Sequence, residues 1–140
     1  MKTAILFLIL ILLADLVFGL GFKYYRLFYF DMTLHFLGGF FVAMFFLHYF
    51  KNTNHGKPGS PEFKKALIII SSAVFVGVIW EFLEYSATEL LGDYLYNNYR
   101  IICCIGDLDD TIKDLLMDIL GALAFVIIAF KSINKSVNKN

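Results

Sequence analysis

Asp110 to Phe130 reads DTIKDLLMDILGALAFVIIAF, an apolar stretch whose first half carries Asp110, Asp114 and Asp118 at intervals of four. At ~3.6 residues per turn these carboxylates form one slowly drifting stripe on a helix face, which Gly121, Ala122 and Phe125 continue. A carboxylate stripe that gives way to small side chains is not a lipid-facing surface. An ionised side chain near the middle of a bilayer costs at least ~2.5–3.5 kcal/mol, so several on one face require partners, water or a bound cation.

The partners have to come from the other apolar runs. Of the 140 residues 59% are hydrophobic, and they are concentrated in four runs, about 3–22, 32–50, 66–91 and 111–130. Each is near the ~20 residues that cross a hydrocarbon core of ~30 Å. The expected fold is all-α and integral to a membrane. It is a compact bundle of four transmembrane helices forming one domain over residues 1–130, with a basic tail at 131–140. Met1 to Phe22 begins like a secretory signal, but its apolar stretch exceeds the ~7–15 residues of a signal core and no small-x-small cleavage site follows. It is read as an uncleaved first span.

The formal net charge is zero, yet the charges are sorted along the chain. Lys2, the lysines of the second connection (Lys51, Lys57, Lys64, Lys65) and those of the tail (Lys131, Lys135, Lys139) fall on one side of a four-span topology. Lys23, Arg26 and Arg100 fall on the other, so the positive-inside rule places both termini and the tail in the cytoplasm. The aromatic stretch Phe22 to Phe30, FKYYRLFYF, fits a belt at the membrane interface. A nucleic-acid partner is excluded, because the basic residues lie in short connections without interleaved stacking aromatics. Adjacent Cys103 and Cys104 lack the spacing of a zinc knuckle or a redox pair and are read as free thiols rather than as a strained vicinal disulfide.

Two further motifs supply candidate partners for the aspartate stripe. In DMTLHFLGGFF, Asp31 and His35 are four apart with Gly38 and Gly39 following, and Asp31 can serve either as a helix N-cap or as part of a site. In GVIWEFLEYSATEL, Gly77 leads to Glu81 at the same spacing, and Glu84, Tyr85 and Thr88 are read as following on the same face. Asp15 lies late in the first span and is assigned to the same cluster. Asp109 or Asp110 can cap the last helix, while Lys113 is turned ~100° off the stripe and can reach outward. At ~1.5 Å per residue His35 lies ~6 Å below its helix start and Asp114 and Asp118 ~6 and ~12 Å below theirs, all in the outer half of the bilayer. Gly38, Gly39, Gly77 and Gly121 lie just cytoplasmic of the polar residue on their own helix. Polar above small on three helices is the pattern of close helix contact beneath a shared polar chamber.

Crowded carboxylates in a low dielectric take up protons or bind a cation. The metal-ligand candidates are His35, Glu81, Glu84, Asp110, Asp114 and Asp118, with His35, Glu81 and Asp114 as the catalytic candidates and Asp31, Asp15 and Tyr85 as supporting polar groups. Imidazole with carboxylates suits Zn, Mn or Fe better than Mg, without selecting one divalent metal.

At these residues the chain resembles a group of bacterial membrane proteins. Asp31-x3-His35 with its following glycines, Trp80-Glu81-x2-Glu84, and the block GDLDDTIKDLLMDILGA are similar to the YjdF-type inner-membrane family and, more distantly, to the VanZ-like family. The likeness covers roughly Asp31 to Ala124. It implies a multi-pass protein of the bacterial inner membrane, of a type whose activity is unknown. The chain departs from the VanZ-like pattern in having Asp118 where asparagine is common and in lacking a glutamine after its third-span glutamate, so no resistance function is carried over.

Three functions are open at this point. The first is a metal-assisted hydrolase or transferase acting on a lipid-linked or headgroup substrate, with Arg100 or Lys113 meeting an anionic group. The second is a proton- or cation-coupled binding or transport module, for which four spans are few and a homodimer is expected. The third is a structural membrane protein without catalysis. No H-E-x-x-H or Ser-centred nucleophile motif is present to decide among them.

Overall fold

A computed structural model describes residues 1–17, 28–52, 62–100 and 107–137. Four helices account for them: α1 (Lys2–Ala14), α2 (Phe28–Asn52), α3 (Glu62–Tyr99) and α4 (Leu108–Val137), with no strand among the described residues. The expectations for Lys23, Arg26 and the Cys103–Cys104 pair lie outside the described residues, as do the last residues of the first apolar run.

Each helix after the first overruns the apolar run that announced it, because backbone hydrogen bonding propagates until something stops it. Helix α3 does not end near Leu91 as expected but continues to Tyr99, where Arg100 takes a left-handed conformation (φ 56). The Arg100 amide closes that turn on the Tyr96 carbonyl at 3.0 Å. Helix α4 continues past Phe130 to Val137, so the first seven residues of the basic tail, 131–137, are helical. No Gly or Pro interrupts it there. Its start also differs from expectation. Asp107 is the cap, accepting the Asp110 amide on Oδ1 at 3.1 Å, which leaves Asp109 free to pair with Lys113 one turn on.

Helix α2 is the hub, packing on α1, α3 and α4 and most extensively on α4. The polar residues of α2 and α4 lie toward their N-termini and those of α3 toward its C-terminus, so α3 runs opposite to both. Below the polar layer is an aliphatic one, formed by Val42 and Ala43 of α2, Ile69 and Ala73 of α3, and Ala122, Phe125 and Val126 of α4. The Phe40 ring meets Phe125 edge-on at 5.2 Å, and Phe7 of α1 stacks on Phe41 at 4.4 Å.

The molecule is inverted relative to a water-soluble domain. Large apolar side chains such as Leu6, Leu13, Phe75 and Phe82 are exposed, while the buried set includes six ionisable residues. A continuous apolar exterior of this kind is far beyond the patches of a soluble monomer. Exposed hydroxyls on these faces bond within their own helix: Ser72 donates to the Ile68 carbonyl at 2.8 Å and Ser86 to Phe82 at 2.7 Å. Among the described residues, two helices, at Tyr29–Phe50 and Phe63–Tyr99, are long and apolar enough by composition to cross a membrane. Helix α4 has the length but carries the aspartates, and α1, at 13 residues, is shorter than the ~20 needed.

Candidate functional site

Glycine decides how the polar residues meet. A Cβ on Gly39 would overlap the backbone carbonyl of Asp118, and one on Gly121 would overlap the carbonyl of Phe36. Helices α2 and α4 therefore touch backbone to backbone, reciprocally, at the level of Asp118. A Cβ on Gly77 would overlap the Asp118 carboxylate, so α3 closes on the same residue from its other side. Gly38 plays no such part, since a Cβ there would make an ordinary 3.8 Å contact with Asp118 Oδ1. Three helices thus converge on one aspartate.

Above this junction His35 occupies the centre. Its Nδ1 lies 3.2 Å from Asp118 Oδ2, while its Nε2 faces Glu81 Oε1 at 3.6 Å and Asp31 Oδ1 at 3.9 Å. All of these residues are buried, as are Glu84 and Asp114. Asp31 lies within α2, in its first turn, and so does not cap the helix; the helix begins three residues earlier, inside the aromatic stretch. That shift turns Asp31 inward beside His35.

Two carboxylate oxygens in the cluster, Glu81 Oε1 and Asp114 Oδ1, are fully buried without a hydrogen-bond partner. Their residues are 7% and 2% exposed. Together with His35 they offer one ligand atom each within 4.8 Å of one another, and Asp31–His35–Glu84 and Asp31–Asp110–Asp114 make two overlapping sets. The 3.6 Å between His35 Nε2 and Glu81 Oε1 is too long for a hydrogen bond. It is close to the ~3.4 Å that separates two ligands held ~2.1 Å from a tetrahedral metal.

Of the residues singled out from the sequence, the structure gathers His35, Asp31, Glu81, Glu84, Asp110, Asp114 and Asp118, and brings Asp15 to the edge of the group. Tyr85 is not among them: it is 53% exposed. The inward arc of α3 passes through Gly77, Glu81, Glu84 and Thr88, leaving Tyr85 on its outer flank. Arg100 and Lys113, expected to meet an anionic group, stand elsewhere; the Arg100 guanidinium lies 5.3 Å over the Tyr96 ring and Lys113 pairs with Asp109. Two contributors were missed. Trp80 donates its indole N–H to Glu84 Oε1 at 3.0 Å, a pairing that the interval of four would have allowed, and Thr111 bonds Glu81 from the turn that Asp107 caps.

Beside the cluster lies a cavity of about 340 Å³, bounded by α1, α2 and α3 and reached by Asp118 of α4. Leu8, Leu12, Leu34, Val76 and Leu83 line its sides, and Asp15, Asp31 and His35 its polar end.

The model of a family described as "Predicted membrane protein (DUF2238)" matches residues 1–135. An "Uncharacterized protein" of Thermotoga maritima is 31% identical over 108 residues, 77% of this chain and 51% of its own length. The chain thus spans about half of that relative. No solved structure matches. The match agrees with the YjdF-type resemblance read from the motifs and lends no support to the VanZ-like one.

Proposed function

The chain belongs to the DUF2238 family of predicted membrane proteins, and we propose that it crosses the bacterial inner membrane four times with both termini cytoplasmic and holds a divalent metal ion in its buried centre. The function supported best is metal-assisted hydrolysis or transfer on a lipid-linked or headgroup substrate. The observation that carries it is the pair of buried, unpartnered oxygens, Glu81 Oε1 and Asp114 Oδ1, grouped with the His35 imidazole. Leaving either without a partner costs at least ~1–3 kcal/mol, and a cation between them removes both costs.

The division of labour follows from the distances. With Nδ1 turned to Asp118, the imidazole presents Nε2 to Glu81 and the carboxylate orients the ring, as second-shell carboxylates do for histidine ligands. His35, Glu81 and Asp114 would hold the metal, each through one ligand atom. A metal held there would supply Lewis acidity and lower the pKa of water. Asp31, 3.9 Å from His35 Nε2, is the carboxylate that would accept a proton at the site. Trp80 holds Glu84, and Thr111 holds Glu81, in place for this arrangement.

The test is elemental analysis of protein purified without added chelator. About one transition metal per chain is expected, falling below a tenth of that (~0.1) in His35→Ala and Asp114→Asn while helix content is retained. A folded wild-type protein that takes up no Zn, Mn or Fe, even on titration, refutes the reading and leaves a protonated network.

A further inference from the structure

We infer that Asp31, Asp110 and Asp114 form a second cation site, built from oxygen alone, that takes a hard divalent ion such as Mg or Mn beside the ion held by His35, Glu81 and Asp114, with Asp114 shared between the two. This rests on the metal centre proposed above and deepens it from one ion to two. Geometry, charge and access carry it.

One carboxylate oxygen from each of Asp31, Asp110 and Asp114 lies within 4.8 Å of the others, and this set has only Asp114 in common with the set that contains His35 and Glu81. Asp114 is 2% exposed, and its Oδ1 has no hydrogen-bond partner. A carboxylate carries two oxygens, so one buried aspartate can serve an ion on each side. Asp31 faces His35 Nε2 with Oδ1 at 3.9 Å and, having two oxygens, need not give up that contact to bind. The start of α4 does not account for Asp110, because Asp107 is the cap there and Lys113 pairs with Asp109.

Charge calls for more than one ion. Six acids, Asp31, Glu81, Glu84, Asp110, Asp114 and Asp118, surround a single imidazole. One divalent ion offsets two of the six charges, and the rest stand close together in a low dielectric, where like charges repel strongly. A second ion offsets two more. Its donors also set its type: carboxylate and water suit Mg, Ca and Mn, whereas the set with the imidazole suits Zn, Mn or Fe.

Access agrees with a hard ion. Asp31 and Asp110 each precede by one helical turn the first-ion ligand on their own helix, His35 and Asp114, so the site lies toward the N-terminal ends of α2 and α4. Asp110 is half-buried while Asp31 and Asp114 are buried. That half-open edge suits a cation that keeps several of its waters. With both ions bound Asp31 is a ligand, and no separate proton acceptor is called for, since cations lower the pKa of water.

The test uses the full chain in nanodiscs, loaded with one equivalent of zinc and titrated with Mn²⁺. Free Mn²⁺ is read by electron paramagnetic resonance and bound zinc by elemental analysis. One saturable Mn²⁺ per chain is expected beside the zinc. Asp110→Asn, a near-isosteric change at a half-buried position, should weaken Mn²⁺ binding at least ~tenfold and keep the zinc, whereas Asp114→Asn should lose both ions. Asp109→Asn, at the exposed neighbour, should change neither. Mn²⁺ uptake that is absent, that survives Asp110→Asn or Asp114→Asn, or that falls as far in Asp109→Asn as in Asp110→Asn overturns the inference, and retained zinc then leaves the first ion standing. Protein that takes up no zinc yet binds one Mn²⁺ through Asp110 refutes the His35-centred ion and keeps this site.

Discussion

Helix α2 meets α4 and α1 in two different ways. Against α4 it presents Gly39 to a backbone carbonyl and receives Gly121 at its own, so the two main chains are in contact and no side chain separates them. Against α1 it presents rings, with Phe7 stacked on Phe41, and both helices also line the cavity beside the cluster. Where backbones touch, neither helix can slide or rotate without collision, and Asp118 of α4 is held to His35 within hydrogen-bond range. Where rings mediate, the seat is adjustable. The rigid contact positions the buried centre, and the adjustable one borders the space beside it.

The strongest challenge to this contrast is a side chain at the glycines. Gly39→Val and Gly121→Val should each cost more than the ~1–3 kcal/mol of ordinary overpacking, because the atoms met are backbone and cannot turn aside, and the expected outcome is loss of cooperative unfolding in detergent. Retention of the wild-type melting profile by either variant would show that the helices do not meet there.

Metal binding should divide the molecule along the same line. With Zn at ~100 times Kd the folded state gains ~2.7 kcal/mol, visible as a raised Tm that Asp114→Asn lacks. Slower amide exchange is expected in α2, α3 and α4 around His35, Glu81 and Asp114, with α1 unchanged. Protection spread equally over α1 would place the ion in the cavity instead.

The aromatic contacts give a smaller pair of effects. Phe125→Ala empties a buried position of the aliphatic layer, yet it should cost less than the ~3–5 kcal/mol of a water-soluble core, since lipid leaves packing and little hydrophobic drive between helices. Phe7→Ala on α1, half exposed already, should cost less again, and the order of the two melting temperatures is the measurement. Smallest of all, Gly38→Ala and Lys113→Ala should leave Tm unchanged. The first adds only an ordinary contact and the second removes an exposed pair.

Much of the buried centre could be read in advance because helical spacing is a local property. Asp114, Asp118 and Gly121 share a face whatever surrounds them, and the same holds for His35 with Gly39 and for Gly77 with Glu81. Asp31 was ambiguous because its role depends on where α2 begins, and an aromatic run such as FKYYRLFYF is compatible with either belt or helix. Asp107 was overlooked as the cap because any of three nearby aspartates fits the first turn. Tyr85 and Thr88 could not be ranked, since both lie near Glu81 on the helical wheel and only the position of the neighbouring helices separates inward from outward.

From composition and periodicity alone follow the helices, their apolar exteriors and the face on which each acid lies, because side-chain direction along a helix depends on position in the chain and on nothing distant. That His35 points one nitrogen at Asp118 and the other at Glu81, that two carboxylate oxygens are left unpartnered, and that a cavity opens between α1 and α3 all depend on how far apart the helix axes lie and how they are rotated. Those are set by contacts between residues as much as 83 positions apart, such as His35 with Asp118, and no local pattern encodes them.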